Sequence, residues 1–146
     1  MSIQIPAQVF HRHFEAPLHA LEIRNAREAQ LDECLRVGVD EALAWDLAAI
    51  VDELASNIMR HSEATWMEYS LIRDADEGLM ILRFQDNGQR FDPASHPLPP
   101  VGHGFEGKMG IAMTRRLARG MRYRRDQAQI NCLEVQLGPQ PRMVLA

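Results

Sequence analysis

Three short stretches of this chain carry residues whose types and spacing could do chemistry. In the first, Glu53-Leu54-Ala55-Ser56-Asn57-Ile58-Met59-Arg60-His61, the polar residues Glu53, Asn57 and His61 recur at i, i+4 and i+8. On an α-helix that spacing makes one stripe. A carboxylate there can act as a base, and an amide oxygen can ligate a hard cation such as Mg2+. The second stretch is Asp86-Asn87-Gly88-Gln89-Arg90-Phe91-Asp92-Pro93. An Asp at the end of a strand, followed by Gly, can present a carboxylate acceptor to an exocyclic amine such as that of adenine while the backbone comes close to the ligand. The third is Gly102-His103-Gly104-Phe105-Glu106-Gly107-Lys108-Met109-Gly110. A Gly-rich segment that opens a helix offers free N–H groups and the positive end of the helix dipole to phosphates, and Lys108 adds a charge. It is neither a P-loop nor a GxGxxG that follows a strand in a βαβ unit. Taken singly, each stretch has a plain structural reading: a polar helix flank, a turn, a loop. Their order along the chain is the stronger signal, because a base with a metal ligand, an adenine acceptor and a phosphate cradle are the parts an ATP site needs.

The elements that must position these residues follow from periodicity. Val9 to Glu15 can form an opening strand. Pro17 suits the first turn of a helix over about Leu18 to Val37, with an imperfect stripe of Leu18, Leu21, Ala26, Ala29, Leu31, Cys34 and Leu35, and Gly38 as its stop. Asp40 is the expected N-cap of a second helix from about Glu41 to His61, with Leu43, Leu47, Ile50, Val51, Leu54 and Ile58 on one face. The Glu53 stripe then lies along the edge of that apolar face, where a polar side chain can line a pocket and still be held rigidly. Two strands, Thr65 to Arg73 and Leu79 to Gln85, form a hairpin that ends at the Asp86 turn. Asp92 to Gly107, rich in Pro, Gly and His, reads as a long loop of the length that usually serves function. A third helix over Met109 to Arg119 stops at Gly120, and strands Met121 to Arg125 and Ile130 to Leu137 close the domain. Strands joined by hairpins, with helices in blocks, predict a single α+β domain over residues 1–146: a two-layer sandwich with one face of the sheet covered by helices.

Composition narrows the function class. The 146 residues fit one domain with a real core, and 46% hydrophobic and 25% charged residues are ordinary globular values. A net charge of −4 gives no basic field, so nucleic acid is not the expected partner. Arg115, Arg116, Arg119, Arg122, Arg124 and Arg125 cluster late and read first as a solvated helix face and strand edge, second as a surface for an anionic ligand or acidic partner. Cys34 and Cys132 lie in apolar patterns with no metal spacing and read as buried, reduced thiols. No stretch approaches the roughly 20 apolar residues of a membrane helix, and Met1 to His13 is not a secretion signal, which together predict a cytoplasmic protein.

With those residues in view the sequence resembles the Bergerat-type (GHKL) ATPase superfamily of gyrase, the heat-shock chaperone, histidine kinases and mismatch-repair proteins. Within it the likeness is to the anti-sigma-factor serine kinases of bacterial partner-switching systems, over nearly the whole chain to Leu137. The stretches that carry it are Val51 to His61, Asp86 to Pro93 and Gly107 to Leu117. The resemblance implies a mixed, mostly antiparallel sheet, ATP and Mg2+ as cofactors, and phosphorylation of an anti-sigma antagonist of the STAS type by a protein that otherwise sequesters a sigma factor. It implies that Glu53 polarises the attacking hydroxyl, that Asn57 holds Mg2+, and that Asp86 binds the adenine amine with Gly88 beside the ring. Gly107, Lys108 and Gly110 would border the triphosphate, and Asp92 to Glu106 would be the ATP lid. Glu53 itself separates this chain from histidine kinases, whose equivalent helix usually lacks a Glu before the Asn, and the length leaves no room for their phosphoacceptor segment. A homodimer built on the opening strand and first helix is a further implication. Two departures from the family pattern stand out: Lys108 occupies the place of a second small Gly, and Ile130-Asn131-Cys132 stands where Gly-Thr is often found. They favour the alternative function, a non-catalytic module that regulates a protein partner by binding alone.

Overall fold

The chain runs β1 (Ala7–Glu15), α1 (Ala20–Arg36), α2 (Glu41–His61), β2 (Trp66–Asp74), β3 (Leu79–Asp86), α3 (Glu106–Leu117), β4 (Gly120–Arg125) and β5 (Asn131–Leu137). The computed structural model describes residues 7–75, 77–93 and 106–138, and for residues 106–109 the backbone alone. The expected lid, apart from its two ends, the Lys108 side chain and the tail beyond Gly138 lie outside the described residues.

The five strands form one sheet in the order β1-β2-β3-β5-β4. All four pairings are antiparallel, in keeping with a mostly antiparallel sheet, and no parallel pair occurs among the described strands. The reason is the path of the chain. The β3–α3–β4 crossover delivers β4 running the same way as β3 but two places away, and the hairpin return inserts β5 between them, antiparallel to both. Strict alternation in Met67, Tyr69 and Leu71 of β2 and in Leu82 and Phe84 of β3 puts one face of the sheet in the core, with Val135 and Leu137 of β5. Tyr69 stacks on Phe14 and Phe84 there. The helices cover that face, giving the two-layer α+β sandwich of the Bergerat type.

Helix α2 buries Leu47, Ile50, Val51 and Leu54, each at most 4% exposed. Asp40 caps it as expected, its Oδ2 accepting from the Leu43 N–H at 3.2 Å. Asp40→Ala should cost about 1 kcal/mol of unfolding free energy, read from the urea midpoint; an unchanged midpoint would show that the cap contributes nothing.

Helix α1 departs from expectation. It starts at Ala20, with Pro17 ahead of it: Ala16 N still donates to Thr65 O and extends the sheet, and Glu22 N and Ile23 N are the first to bond back to His19 O. Its buried stripe is Ile23, Ala26, Gln30 and Cys34, while Leu21 and Leu35 stand 64% and 44% exposed. A polar residue, Gln30, occupies a core position that hydrophobicity alone would not select. The helix ends before Gly38, where Gly38 N bonds to Leu35 O and Val39 N to Cys34 O. Helix α3 stops at Leu117, three residues before Gly120. Arg119 N already pairs with Gln136 O, so Gly120 opens β4 instead of closing the helix.

Both cysteines are free and buried, and burial pushes the Cys34 thiol up to about 11, which leaves it unreactive. No described helix is long and apolar enough to cross a membrane.

Candidate functional site

Between α2 and the sheet lies a cavity of about 580 Å3, a size suited to a nucleotide-sized ligand. Its walls are largely apolar, from Leu54 and Ile58 of α2, Phe84 of β3, Ile111 of α3 and Leu133 of β5. Asn57 and His61 face it from α2 and Asp86 from the end of β3. Two residues singled out in separate stretches, Asn57 and Asp86, thus meet in one space. The antiparallel hairpin accounts for this: it carries the chain from the end of α2 out along β2 and back along β3, so Asp86 returns beside the helix terminus it left.

Asp86 is 6% exposed. Its Oδ1 accepts from Gly88 N at 2.8 Å and from Asn131 Nδ2 at 3.0 Å, and Oδ2 has no partner among the described residues. Burial raises the carboxyl above its usual range, opposed by those two hydrogen bonds and by the Arg125 charge. A carboxylate held by one oxygen with the other left for a ligand is what recognition of an amine requires. The turn that follows is pinned to the α2–β2 connection: Asn87 Oδ1 accepts from Thr65 N and Trp66 N, and Gln89 N donates to Ser62 O.

Gly88 is not among the cavity-lining residues. A Cβ on it would fall 2.5 Å from Ser62 Oγ and 2.6 Å from Ser62 O, so the missing side chain is what lets this turn close on the end of α2. Gly88→Ala should lower stability by about 1–3 kcal/mol, because backbone has to move; a denaturation midpoint within error of the parent would contradict that packing.

Glu53 sits one turn before Asn57, and its side chain runs against α3 rather than into the cavity wall. A Cβ at Gly110 would lie 1.8 Å from Glu53 Oε2, so only glycine lets the two helices hold the carboxylate between them. Burial raises the Glu53 carboxyl above its ordinary value, the Asp52 charge adds to this and Arg60 opposes it. Gly107 and Lys108 lie in the first turn of α3. Thr114, fully buried, donates its hydroxyl to Gly110 O and braces the next turn.

Three contributors were not legible as site residues. Asn131 was visible only as a departure from a family pattern, Arg125 only as one of a basic run, and Tyr123 not at all. Arg125 turns inward to Gly88 O and Asn131 Oδ1, while Arg122 and Arg124 stay on the exposed strand edge. The alternation of β4 separates these roles and is the one signal that could have suggested it.

The residues present fit an adenine nucleotide. Asn57 Nδ2 is buried with no hydrogen-bond partner among the described residues, an amide left for a ligand to satisfy. No cluster of three or more His, Cys, Asp or Glu able to hold a metal occurs among the described residues. A cation that uses one protein oxygen and arrives with phosphates, as Mg2+ commonly does, needs no such cluster.

No curated protein matches the sequence. Among solved structures, the chain is similar to one in the SiaB–SiaC complex from Pseudomonas aeruginosa, with a TM-score of 0.64 and 15% identity over 86% of this chain and 88% of that one. A family model, the histidine kinase-like ATPase domain, matches residues 16–137. The chain therefore belongs to the histidine kinase-like ATPase domain family.

Proposed function

We propose that this protein is a Mg2+-ATP-dependent serine kinase that works as an anti-sigma factor in a partner switch, phosphorylating a STAS-type antagonist and holding a sigma factor or equivalent regulator when the antagonist is absent. The observation that carries the reading is the convergence of Asn57 and the free oxygen of Asp86 on one cavity, a single helical turn from a half-buried Glu53. In this reading Asp86 accepts from the adenine amine, Asn57 would supply an oxygen to Mg2+, and the N-terminal end of α3 cradles phosphate with Gly107, Lys108 and Gly110. The bound cation neutralises charge on the phosphates. Glu53 takes the proton of the partner's serine hydroxyl as that oxygen bonds to the γ-phosphorus and the bond to the departing ADP oxygen breaks. Its raised carboxyl brings the base closer to neutral pH, where general bases work best. A protein partner is supported by the similarity to a structure solved as a two-protein complex. A cytoplasmic homodimer, with β1 as the edge strand of the described sheet, belongs to the same reading.

Calorimetric titration with ATP, with and without Mg2+, tests it. Micromolar binding that depends on Mg2+ is the expected result. Absence of binding would sink the kinase reading and leave a module that regulates its partner by contact alone.

A further inference from the structure

Asn131 pairs with Asp86 across the β3–β5 ladder and is 5% exposed. Its Nδ2 donates to Asp86 Oδ1 at 3.0 Å, Gly88 O at 3.0 Å and Gln89 O at 3.1 Å. Its Oδ1 accepts from Arg125 Nη1 at 2.9 Å and from the Tyr123 hydroxyl. The same Arg125 nitrogen donates to Gly88 O at 2.9 Å. With two donors on Oδ1, the amide cannot turn over without setting its NH2 against them, so its donor end is fixed towards Asp86. Asp86 Oδ1 is then doubly occupied, and Oδ2 is the oxygen left to the cavity.

We propose that Asn131 and Arg125 are positioning residues that make this cavity choose a 6-amino purine over a 6-oxo purine, by locking Asp86 as a fixed acceptor. The inference rests on the adenine-nucleotide reading above. An ionised carboxylate only accepts, so it attracts the 6-amino donor and repels a 6-oxo acceptor. A carboxyl that takes up a proton offers O–H and loses that discrimination, and one free to rotate no longer holds its acceptor against the 6-position. Asn131 removes the rotation, and the Arg125 guanidinium, joined to Asp86 through Gly88 O and Asn131, favours the ionised form.

The test compares ATP with inosine triphosphate, which carries the 6-oxo group, by calorimetry against the parent protein, Asn131→Ala and Arg125→Gln. The parent should prefer ATP by about tenfold or more, the worth of one charged hydrogen bond. In both variants the ratio should fall towards one, with ATP losing affinity and inosine triphosphate holding or gaining it. A merely structural role would weaken both nucleotides equally and leave the ratio unchanged, and that outcome overturns the proposal. Should Asn131→Ala not fold, Arg125→Gln, on a partly exposed edge strand, decides alone. A parent protein that binds both nucleotides equally overturns the selectivity inference while the nucleotide site stands; one that binds neither removes the underlying reading and the inference with it.

Discussion

Glu53→Ala is expected to reduce phosphotransfer by about 10²–10⁴-fold, the usual worth of a positioned general base, while ATP affinity stays within about twofold of the parent. The separation follows from geometry. Glu53 is not among the residues lining the cavity, whereas Asn57 and Asp86 are. Turnover is read as ADP release under single-turnover conditions with saturating ATP, and as γ-phosphoryl transfer to the antagonist; unchanged turnover would remove Glu53 from the chemistry. A companion variant, Gly110→Ala, separates chemistry from folding. The added Cβ would meet Glu53 at Oε2, Cδ and Cγ, 1.8, 2.1 and 2.7 Å away, and the far end of that side chain can swing aside. Stability should hold, since Ala gains about 1 kcal/mol over Gly inside a helix. The carboxylate would nevertheless be displaced, and turnover should fall as it does in Glu53→Ala. A variant that melts no lower than the parent yet has lost turnover would locate the base at this helix contact. A variant that keeps full turnover would mean that the carboxylate's position against α3 does not matter to the reaction.

The parts of this molecule legible in the sequence are those set by local rules. Helix α2 has both its cap and its apolar face within 22 residues, Asp40–His61, so its limits were readable from the sequence alone. The hairpin β2–β3 was equally plain, because its alternation and turn are contiguous. Helix α1 was less so. Its core stripe includes Gln30 and leaves Leu21 outside, and only the packing partner decides which side of a weakly amphipathic helix is buried. The candidate site divides the same way. Glu53, Asn57 and Asp86 could be picked out by type and spacing. Asn131 and Arg125 could not, because their meaning comes from a register in which Asn131 faces Asp86 from 45 residues away. Gly88 reads in the sequence as a point of close approach to a ligand, yet its missing side chain makes room for Ser62, and that contact too is non-local.

Asp86→Asn should weaken ATP by roughly 1.5–3 kcal/mol, the worth of a hydrogen bond to a charged group, or about 10–150-fold, without destabilising the fold. The direction of each effect can be derived. Gly88 N and Asn131 Nδ2 both donate to Oδ1, so an amide at this position must keep its oxygen there and turn its NH2 to the cavity, donor against the adenine donor. Stability moves the other way. Burial raises the Asp86 carboxyl in the folded protein above its unfolded value, so the ionised group burdens the fold, and the parent loses stability as pH rises from the unfolded value through the folded one. An amide carries no such burden. Asp86→Asn should therefore be at least as stable as the parent at neutral pH, and any advantage should vanish in acid, where both side chains are neutral. ATP affinity of the parent should fall as pH drops through the raised folded value, because protonation removes the acceptor, and that limb should be missing from the variant. Calorimetry across pH 4 to 8, beside urea denaturation at the same points, reads both curves. A variant that loses stability and affinity together at every pH would mean that Asp86 supports the turn and has no part in holding the base.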